Sequence, residues 1–402
     1  MKGVDQLVAS DPLSLVVADD IPICEQSSRD IVIKVACAGV NRLDLIQADG
    51  KYAVSEGTTS VLGLEVSGMI LSVGAECTRG FKERDEVFAL VEGGGYAEMV
   101  AVDERCVFPA IKSLSLSQNA SVPESFLTAY QLAFFVAKAE SGQSALVHAG
   151  ASSVGQALTQ MLVKKGVNVI ATTRSRSKIN VCLRCGASDA IMPVSTSNSG
   201  RDLIVLGVSA KEEEDQPKRR KYFAARAMDA NGGLSGRAFD MVFCPVGGDY
   251  LEENVACLKT DGKLVLYGLM GGTADPIDGG LLSKLLFRRI SLLPSTLRSR
   301  SMDYKASLCE AFRQDEECGY QAIERGDIKV DVEHSLPLED VLQAHGIMRM
   351  NRNVGKIVLM VSNQTATLEW FSREMRQLEK ITDMSPAKEG GGVQDEGKRE
   401  EK

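Results

Sequence analysis

The stretch HAGASSVGQA, residues 148–157, has small residues where a phosphate-binding turn needs them. The run SALV before it is apolar, which predicts a buried strand. Behind it, apolar residues recur at the spacing of one helix face, at Val154, Ala157, Leu158, Met161 and Leu162. A turn between a strand and a helix is where the G-x-G-x-x-G fingerprint occurs, here with serine at its second glycine. Because a helix N-terminus favours an anion, we predict a dinucleotide-binding turn at Gly150, Ser152, Ser153, Val154 and Gly155.

The alternation of strand and helix continues along the chain. Further apolar runs predict strands at VNVIATT (167–173), DAIMPV (189–194), DMVFCPV (240–246), KLVLYGL (263–269) and ISLLP (290–294). Helical segments lie between them at SKINVCLRCG (177–186), DYLEENVACLKTDG (249–262) and LLSKLLFRR (281–289). Such alternation indicates an α/β fold with a doubly wound, six-stranded parallel sheet.

The chain on either side of this region has a different pattern. Residues 31–110 contain short β-branched runs bounded by glycine or charge, which predict a small barrel. A helix is predicted at ESFLTAYQLAFFVAKA (124–139), directly after Pro123. Near the end, EHSLPLEDVLQAHGIMRMNRNVGKIVLMV (333–361) predicts a strand, a helix and a closing strand.

Composition limits the functional classes. The 402 residues are 44% hydrophobic and carry a net charge of −8, which argues against a broad electrostatic grip on nucleic acid or anionic membrane. No apolar run approaches the roughly 20 residues of a bilayer span, and the opening residues lack a signal-peptide pattern. Ten cysteines without such a signal favour reduced thiols. We therefore expect a cytoplasmic protein.

Two segments do not fit the predicted sheet. Residues 195–237 include the block KEEEDQPKRRK, and residues 363–402 end in a charged, glycine-rich stretch. We expect a solvated insertion and a disordered tail, and docking of a partner stays open for both.

Several blocks resemble the medium-chain dehydrogenase/reductase superfamily: NRLDLIQADGKY (41–52), VLGLEVSG (61–68), GGGYAEMV (93–100) and NRNVGKIVL (351–359). GLMGG (268–272) with SKLLFRR (283–289) is similar to its zinc-free, zeta-crystallin-like quinone oxidoreductases, and most of all to the tumour-suppressor-inducible subgroup. The resemblance implies a GroES-like β-barrel catalytic domain split by a Rossmann domain. The expected bounds are 1–123 and 297–362 for the catalytic domain and 124–296 for the Rossmann domain.

The residues themselves argue against a metal. Where the resemblance places a cysteine and a histidine in zinc-dependent relatives, this chain has Asn41 and Leu64, neither of which suits zinc. The C-x-x-C at Cys182 and Cys185 has no second pair and no nearby histidine, so packing on a helix is the better interpretation. We predict no metal site.

The resemblance also implies which residues surround the nicotinamide and the substrate. Tyr52 lines the nicotinamide pocket, either as a hydrogen-bond donor to the substrate oxygen or only as packing against the cofactor. Asn41 and Asp44 are expected on the polar rim. The remaining implied cofactor contacts are Thr128, Val246, Gly268, Leu269, Met270 and Asn353.

The second predicted strand of the sheet indicates the choice of cofactor. It ends VIATTRSRSK, without the carboxylate that NAD-selective domains use for the ribose hydroxyl. Arg174, Ser175 and Lys178 instead offer positive charge and a hydroxyl to a 2′-phosphate, although a solvated basic cluster is the alternative. We expect NADPH.

These observations predict an NADPH-dependent quinone oxidoreductase with a small-molecule quinone as substrate. An NADPH-dependent 2-enoyl or enone reductase of the same superfamily stays open, as does a non-catalytic NADPH-binding regulator or RNA-binding protein. The resemblance further implies a homodimer, joined through the edge strand near residues 289–296.

Overall fold

The computed structural model describes residues 3–5, 16–18, 25–52, 59–195, 221–232, 238–272 and 279–362. The predicted tail at 363–402, and residues 196–220 and 233–237 of the predicted insertion, lie outside the described residues. No helix in the described part combines the length and hydropathy that a bilayer span requires. The domain bounds expected from the sequence stay a prediction.

The described strands, in chain order, are β1 (Gly3–Asp5), β2 (Val16–Ala18), β3 (Asp30–Val40), β4 (Glu65–Val73), β5 (Glu86–Leu90), β6 (Met99–Asp103), β7 (Val107–Pro109), β8 (Ser144–Val147), β9 (Asn168–Thr172), β10 (Asp189–Ile191), β11 (Val194–Ser195), β12 (Lys221–Tyr222), β13 (Phe239–Cys244), β14 (Leu258–Leu266), β15 (Ser291–Pro294), β16 (Val332–Pro337) and β17 (Lys356–Met360). The described α-helices are α1 (Arg42–Ala48), α2 (Leu116–Asn119), α3 (Pro123–Tyr130), α4 (Ser153–Lys164), α5 (Ile179–Arg184), α6 (Ala224–Ala230), α7 (Leu251–Cys257), α8 (Gly279–Phe287), α9 (Met302–Gln314), α10 (Tyr320–Glu324) and α11 (Val341–Arg349). A π-helical segment, Gln131–Val136, extends α3.

A six-stranded parallel sheet forms the centre of the middle region, in the order β10-β9-β8-β13-β14-β15. This confirms the predicted doubly wound sheet. The order reverses between β8 and β13, and open α/β sheets bind ligands beyond the carboxyl ends of their strands at such a reversal. The turn after β8 therefore lies at the position where a ligand is expected.

A seven-stranded mixed sheet contains the flanking strands and confirms the predicted return of the chain. The long strand β3 pairs with β4 along one side and with β6 and β17 along the other. Strand β17, near the end of the described chain, thus lies beside one of the first strands. Its residues Ile357, Val358 and Leu359 are fully buried, so the closing strand belongs to the core.

Two expectations about the sheet region need correction. The helix predicted through residue 262 ends at Cys257, because Leu258 already pairs with Phe239 as the start of β14. The insertion is not wholly solvated: β12 pairs with β11, and α6 follows it. Phe223 is 1% exposed between them, so its aromatic burial holds this part of the insertion against the core.

His148, just beyond β8, is a buried structural side chain. Its Nδ1 lies 2.9 Å from Thr172 Oγ1, and its Nε2 lies 2.7 Å from Asn254 Oδ1. The rings of Phe223 and Tyr250 pack edge-on against the imidazole, with centroid distances of 4.7 and 4.8 Å. Burial lowers the pKa of His148 to about 4. Protonation of the ring therefore opposes this packing.

We expect His148 to make the stability depend on pH. The unfolded chain gains a proton at this ring near pH 6.5, whereas the folded protein resists protonation until about pH 4, so stability falls as the pH drops through that window. His148→Asn removes the linkage. The stability advantage of the wild type over the variant should shrink by about 3 kcal/mol from pH 7 to pH 4.

Urea unfolding of both proteins across this pH range measures the effect. Comparing the two proteins cancels the opposite contributions of Asp44 and Glu124, whose pKa values are raised. An advantage that stays constant with pH would contradict the role given to His148.

Candidate active site

A buried ion pair lies where the mixed sheet meets the helix that leads towards the parallel sheet. The ammonium of Lys356 on β17 pairs with Glu65 Oε1 on β4, and the two side chains are 1% and 0% exposed. Lys356 Nζ also donates to Asn41 Oδ1 at 2.7 Å and to Ser125 Oγ at 3.2 Å. These three acceptors match the three donors of an ammonium group.

The carboxylate of Glu65 is equally well satisfied. Its Oε1 accepts a second bond from Asn41 Nδ2 at 2.9 Å, and its Oε2 accepts from the backbone N–H of Glu124 at 2.9 Å. Gly39 on β3 makes room for it, because a Cβ there would collide with the carboxylate. Since Glu124 and Ser125 open α3, this buried cluster joins three elements of the mixed sheet region to α3.

Asp44 is enclosed in a neighbouring network. Its Oδ2 accepts from the backbone N–H of Asn41 at 2.7 Å and from Tyr96 Oη at 3.0 Å, and its Oδ1 accepts from Gly63 N–H at 3.2 Å. Burial raises the pKa of Asp44 to about 6. The placement of Asn41 and Asp44 on a polar rim is corrected: Asp44 is fully buried and anchors the start of α1, and Asn41 is 9% exposed within the ion-pair cluster.

Tyr52 is half-buried and contacts a cation that sequence reasoning did not find. The guanidinium carbon of Arg298, which follows β15, lies 5.1 Å from the centroid of the Tyr52 ring. Arg298 is held in place by bonds from its Nε to Glu92 O at 3.0 Å and from its Nη1 to Gln47 Oε1 at 2.5 Å. The ring face of Tyr52 is thus occupied by Arg298. Donation by the Tyr52 hydroxyl to a substrate stays a prediction.

The turn after β8 has the shape that its sequence predicts. Ser152 caps α4, its Oγ accepting from Gly155 N–H at 3.1 Å. A Cβ on Gly150 would lie 2.8 Å from Ala171 Cβ, and a Cβ on Gly155 would collide with the carbonyl of Ala149. Both glycines are therefore required by close packing of the turn against β9 and against itself.

The same turn keeps donors for an anion. Ser153 and Val154 form the first turn of α4, where backbone N–H groups have no partner within the helix. The returning chain supports the turn from outside, because Gly355 N–H donates to Ala151 O at 2.9 Å. A pyrophosphate fits this cradle of small residues at a helix N-terminus.

Positive side chains follow β9 as predicted. Arg174 is exposed and Ser175 is half-buried. Lys178 Nζ donates to the carbonyls of Asn351 and Asn353, at 2.8 and 2.7 Å. The structure therefore brings the predicted cofactor residue Asn353 to Lys178 through its backbone, whereas its side chain donates to the carbonyl of Gly355.

The loops after β13 and β14 lie side by side. The backbone N–H of Met270 donates to Pro245 O at 3.0 Å, and that of Gly271 donates to Val246 O at 2.8 Å. The bonds present Leu269 and Met270 to solvent, with 53% and 44% of their surfaces exposed. Of the remaining predicted cofactor residues, Gly268 lies in the second loop, and Thr128 is half-buried on α3.

Known proteins share this architecture. Two family models match it: an alcohol dehydrogenase GroES-like domain at residues 27–112 and a zinc-binding dehydrogenase at residues 219–359. A mouse quinone oxidoreductase is 24% identical over 364 residues, which cover 90% of this chain and 98% of the relative. The structure of mycobacterial Rv1454c complexed with NADPH is 25% identical, with a TM-score of 0.73, and covers 90% of this chain and 100% of that one. CurK enoyl reductase is 23% identical, with a TM-score of 0.70, and covers 89% of this chain and 98% of that one.

The chain therefore carries the two domain types of the medium-chain dehydrogenase/reductase superfamily, and it is similar to the zinc-free quinone oxidoreductases of that superfamily. The predicted fold class, a GroES-like barrel split by a Rossmann sheet, is thereby confirmed. The described residues of this superfamily member contain no group of three or more His, Cys, Asp or Glu side chains that could hold a metal ion. Asn41, at the position of the zinc-ligating cysteine of zinc-dependent relatives, and Glu65, which follows the histidine position occupied here by Leu64, both bind the ammonium of Lys356.

Cys182 and Cys185 behave as packing residues. Burial raises the pKa of their thiols to about 11 and about 12. The thiolate, which is the metal ligand and the nucleophile, is therefore disfavoured at both positions.

We expect the ion pair of this superfamily member to be costly to break. Lys356→Met leaves the buried charge of Glu65 without its cation, which should lower the unfolding free energy by about 3–5 kcal/mol. Adding Glu65→Gln to this variant removes the unpaired charge and should restore part of the loss. Urea unfolding measures both proteins.

The pair of exposed Lys259 with half-buried Asp240, with an Nζ–Oδ2 distance of 2.8 Å, provides a control. Lys259→Met should cost less than about 1 kcal/mol, because solvent screens the exposed ammonium of this pair. Equal losses for Lys356→Met and Lys259→Met would show that the buried pair has no special role.

Proposed function

We propose that this protein is an NADPH-dependent quinone reductase that transfers a hydride to its substrate without a metal. The observation that carries the proposal is the end of β9, where Arg174, Ser175 and Lys178 follow Thr172 without a carboxylate between them. An acidic residue at this place recognises the ribose hydroxyl of NAD, whereas cations and a hydroxyl suit a 2′-phosphate. The names of the relatives support the quinone substrate, and Rv1454c supports the cofactor.

When bound, NADPH supplies the hydride. The residues of this chain bind and orient it: the turn from Gly150 to Gly155 holds the pyrophosphate, and Arg174, Ser175 and Lys178 hold the 2′-phosphate. The loops after β13 and β14 would hold the nicotinamide half. Its contacts in this proposal are Thr128, Val246, Gly268, Leu269, Met270 and Asn353.

The chemistry of a quinone explains why no metal is required. Hydride addition produces an aromatic hydroquinone anion, which is stabilised by resonance, so the protein needs to supply only orientation and a hydrogen-bond donor for the oxygen. Tyr52 is the donor in this proposal. Arg298 fixes its ring from one face, so the hydroxyl is presented in a set direction.

Activity on two electrophiles tests the reaction. We expect NADPH oxidation with 1,2-naphthoquinone to be faster than with a 2-alkenal, and NADPH to be preferred over NADH. Turnover with the alkenal alone would replace the quinone proposal by an enone reductase, whose geometry of hydride addition is the same. NADPH binding without oxidation by any quinone would favour a non-catalytic regulator.

Tyr52→Phe tests the donor. Phenylalanine keeps the ring face against Arg298 and removes only the hydroxyl, so kcat and kcat/KM should fall together by about 10-fold or more. Tyr304, which stacks on Arg300 at 4.6 Å, is the matched control, and Tyr304→Phe should leave both constants nearly unchanged. Unchanged turnover of Tyr52→Phe would reduce Tyr52 to a packing residue.

The same proposal includes a homodimer through β15. This strand ends the parallel sheet, and α8 before it exposes 72% of Leu286 and 77% of Phe287. An exposed sheet edge beside apolar side chains favours pairing with a second copy. Light scattering at micromolar concentration should give twice the mass of one chain, and Leu286→Asp should reduce it. Leu183→Asp, at an exposed leucine on α5, is the control, and a monomeric wild type would contradict the proposal.

A further inference from the structure

Two cations from distant parts of the chain contact one residue of the returning segment. Arg42, the first residue of α1 in the barrel, donates from Nη2 to Asn351 Oδ1 at 2.7 Å. Lys178, beyond β9 of the Rossmann sheet, donates to the backbone carbonyl of the same Asn351 at 2.8 Å. Asn351 therefore places a barrel guanidinium beside the ammonium predicted to bind the 2′-phosphate.

Arg42, Lys178 and the nearby Arg174 lack a directly paired counter-ion among the described residues, although the charge of Glu333 also acts on Lys178. Across the described ranges, no carboxylate forms an ion pair with Arg42, Arg174 or Lys178, whereas the nearby Arg349 is paired with Asp49 through both of its carboxylate oxygens. Arg42 and Lys178 are partly buried, whereas Arg174 is exposed. Partly buried cations without a counter-ion are unfavourable, so the group is suited to an anion with more than one charge.

The charge of Arg174 acts on each of the two other cations. Burial lowers the pKa of Arg42, and the charges of Arg174 and Arg349 add to this effect. Burial and the charge of Arg174 likewise lower the pKa of Lys178, against the opposite effect of Glu333. Arg174, exposed at the end of β9, thus lies within electrostatic reach of both other cations.

Building on the proposed function, we propose that Arg42 binds the 2′-phosphate of NADPH together with Arg174 and Lys178. A guanidinium has five N–H donors, and among the described residues Arg42 donates one hydrogen bond, to Asn351, so donors remain for phosphate oxygens. The barrel domain then contributes directly to cofactor selectivity. Because the phosphate would contact both domains, its binding also relieves repulsion between them.

Binding of two cofactor fragments to the whole protein tests Arg42 without relying on turnover. Calorimetry with 2′,5′-ADP and with 5′-AMP separates the 2′-phosphate from the rest of the adenosine half. Arg42→Gln should raise the dissociation constant of 2′,5′-ADP by about 10-fold or more, which corresponds to the loss of one charge-assisted hydrogen bond. The dissociation constant of 5′-AMP should stay within about twofold of the wild-type value. Arg174→Gln should show the same selective loss. Arg42→Lys keeps the positive charge but loses the paired N–H donors of the guanidinium, so its affinity for 2′,5′-ADP should lie between those of the wild type and Arg42→Gln.

Arg184→Gln, at an exposed arginine at the end of α5, is the matched control and should bind both fragments like the wild type. Equal weakening of both fragments by Arg42→Gln would place Arg42 at the other phosphates and overturn the proposal, as would no weakening at all. If the wild type binds 2′,5′-ADP no better than 5′-AMP, the proposed preference for NADPH over NADH is contradicted as well. If only Arg174→Gln loses affinity selectively for 2′,5′-ADP, the preference for NADPH would stand, and the role proposed for Arg42 would be contradicted.

Discussion

The structure depends on the buried ion pair between Lys356 and Glu65. Their contacts join the closing strand β17, the strand β4, the start of α1 and the start of α3. Neither charge has another charged partner among its hydrogen bonds, so moving any of these elements leaves a buried charge unpaired. Such an arrangement gives a single geometry for the junction between barrel and Rossmann sheet.

The ion pair also occupies the groups that could otherwise take part in binding a metal at this place. Glu65 follows the position at which zinc-dependent relatives of the superfamily have a histidine, and its carboxylate is taken by the lysine ammonium, an asparagine amide and a backbone N–H. A lysine ammonium cannot polarise a carbonyl as zinc does, because it is buried and all its donors are used. This arrangement supports the proposed transfer of a hydride to a substrate that accepts it without a metal, as quinones and conjugated alkenes do.

Local patterns predicted most of the fold, and long-range contacts account for what they missed. The six parallel strands are apolar runs, so each could be recognised alone. The start of β14 could not, because Lys259, Thr260 and Asp261 are exposed residues within the strand and resemble a helix end. Phe223 is buried against His148 and Tyr250, which lie far from it along the chain. Arg42 and Arg298 carry no local signal, since their partners lie about 300 and 200 residues away along the chain.

Turnover after metal removal tests most directly the proposal that the reaction proceeds without a metal at the site where Lys356 and Glu65 pair. The protein is dialysed against a strong chelator, and NADPH oxidation by 1,2-naphthoquinone is then followed with and without added Zn²⁺. We expect the same rate of NADPH oxidation before and after dialysis, and no increase in that rate when Zn²⁺ is added. A rate that is lost on dialysis and restored by zinc would contradict the proposal.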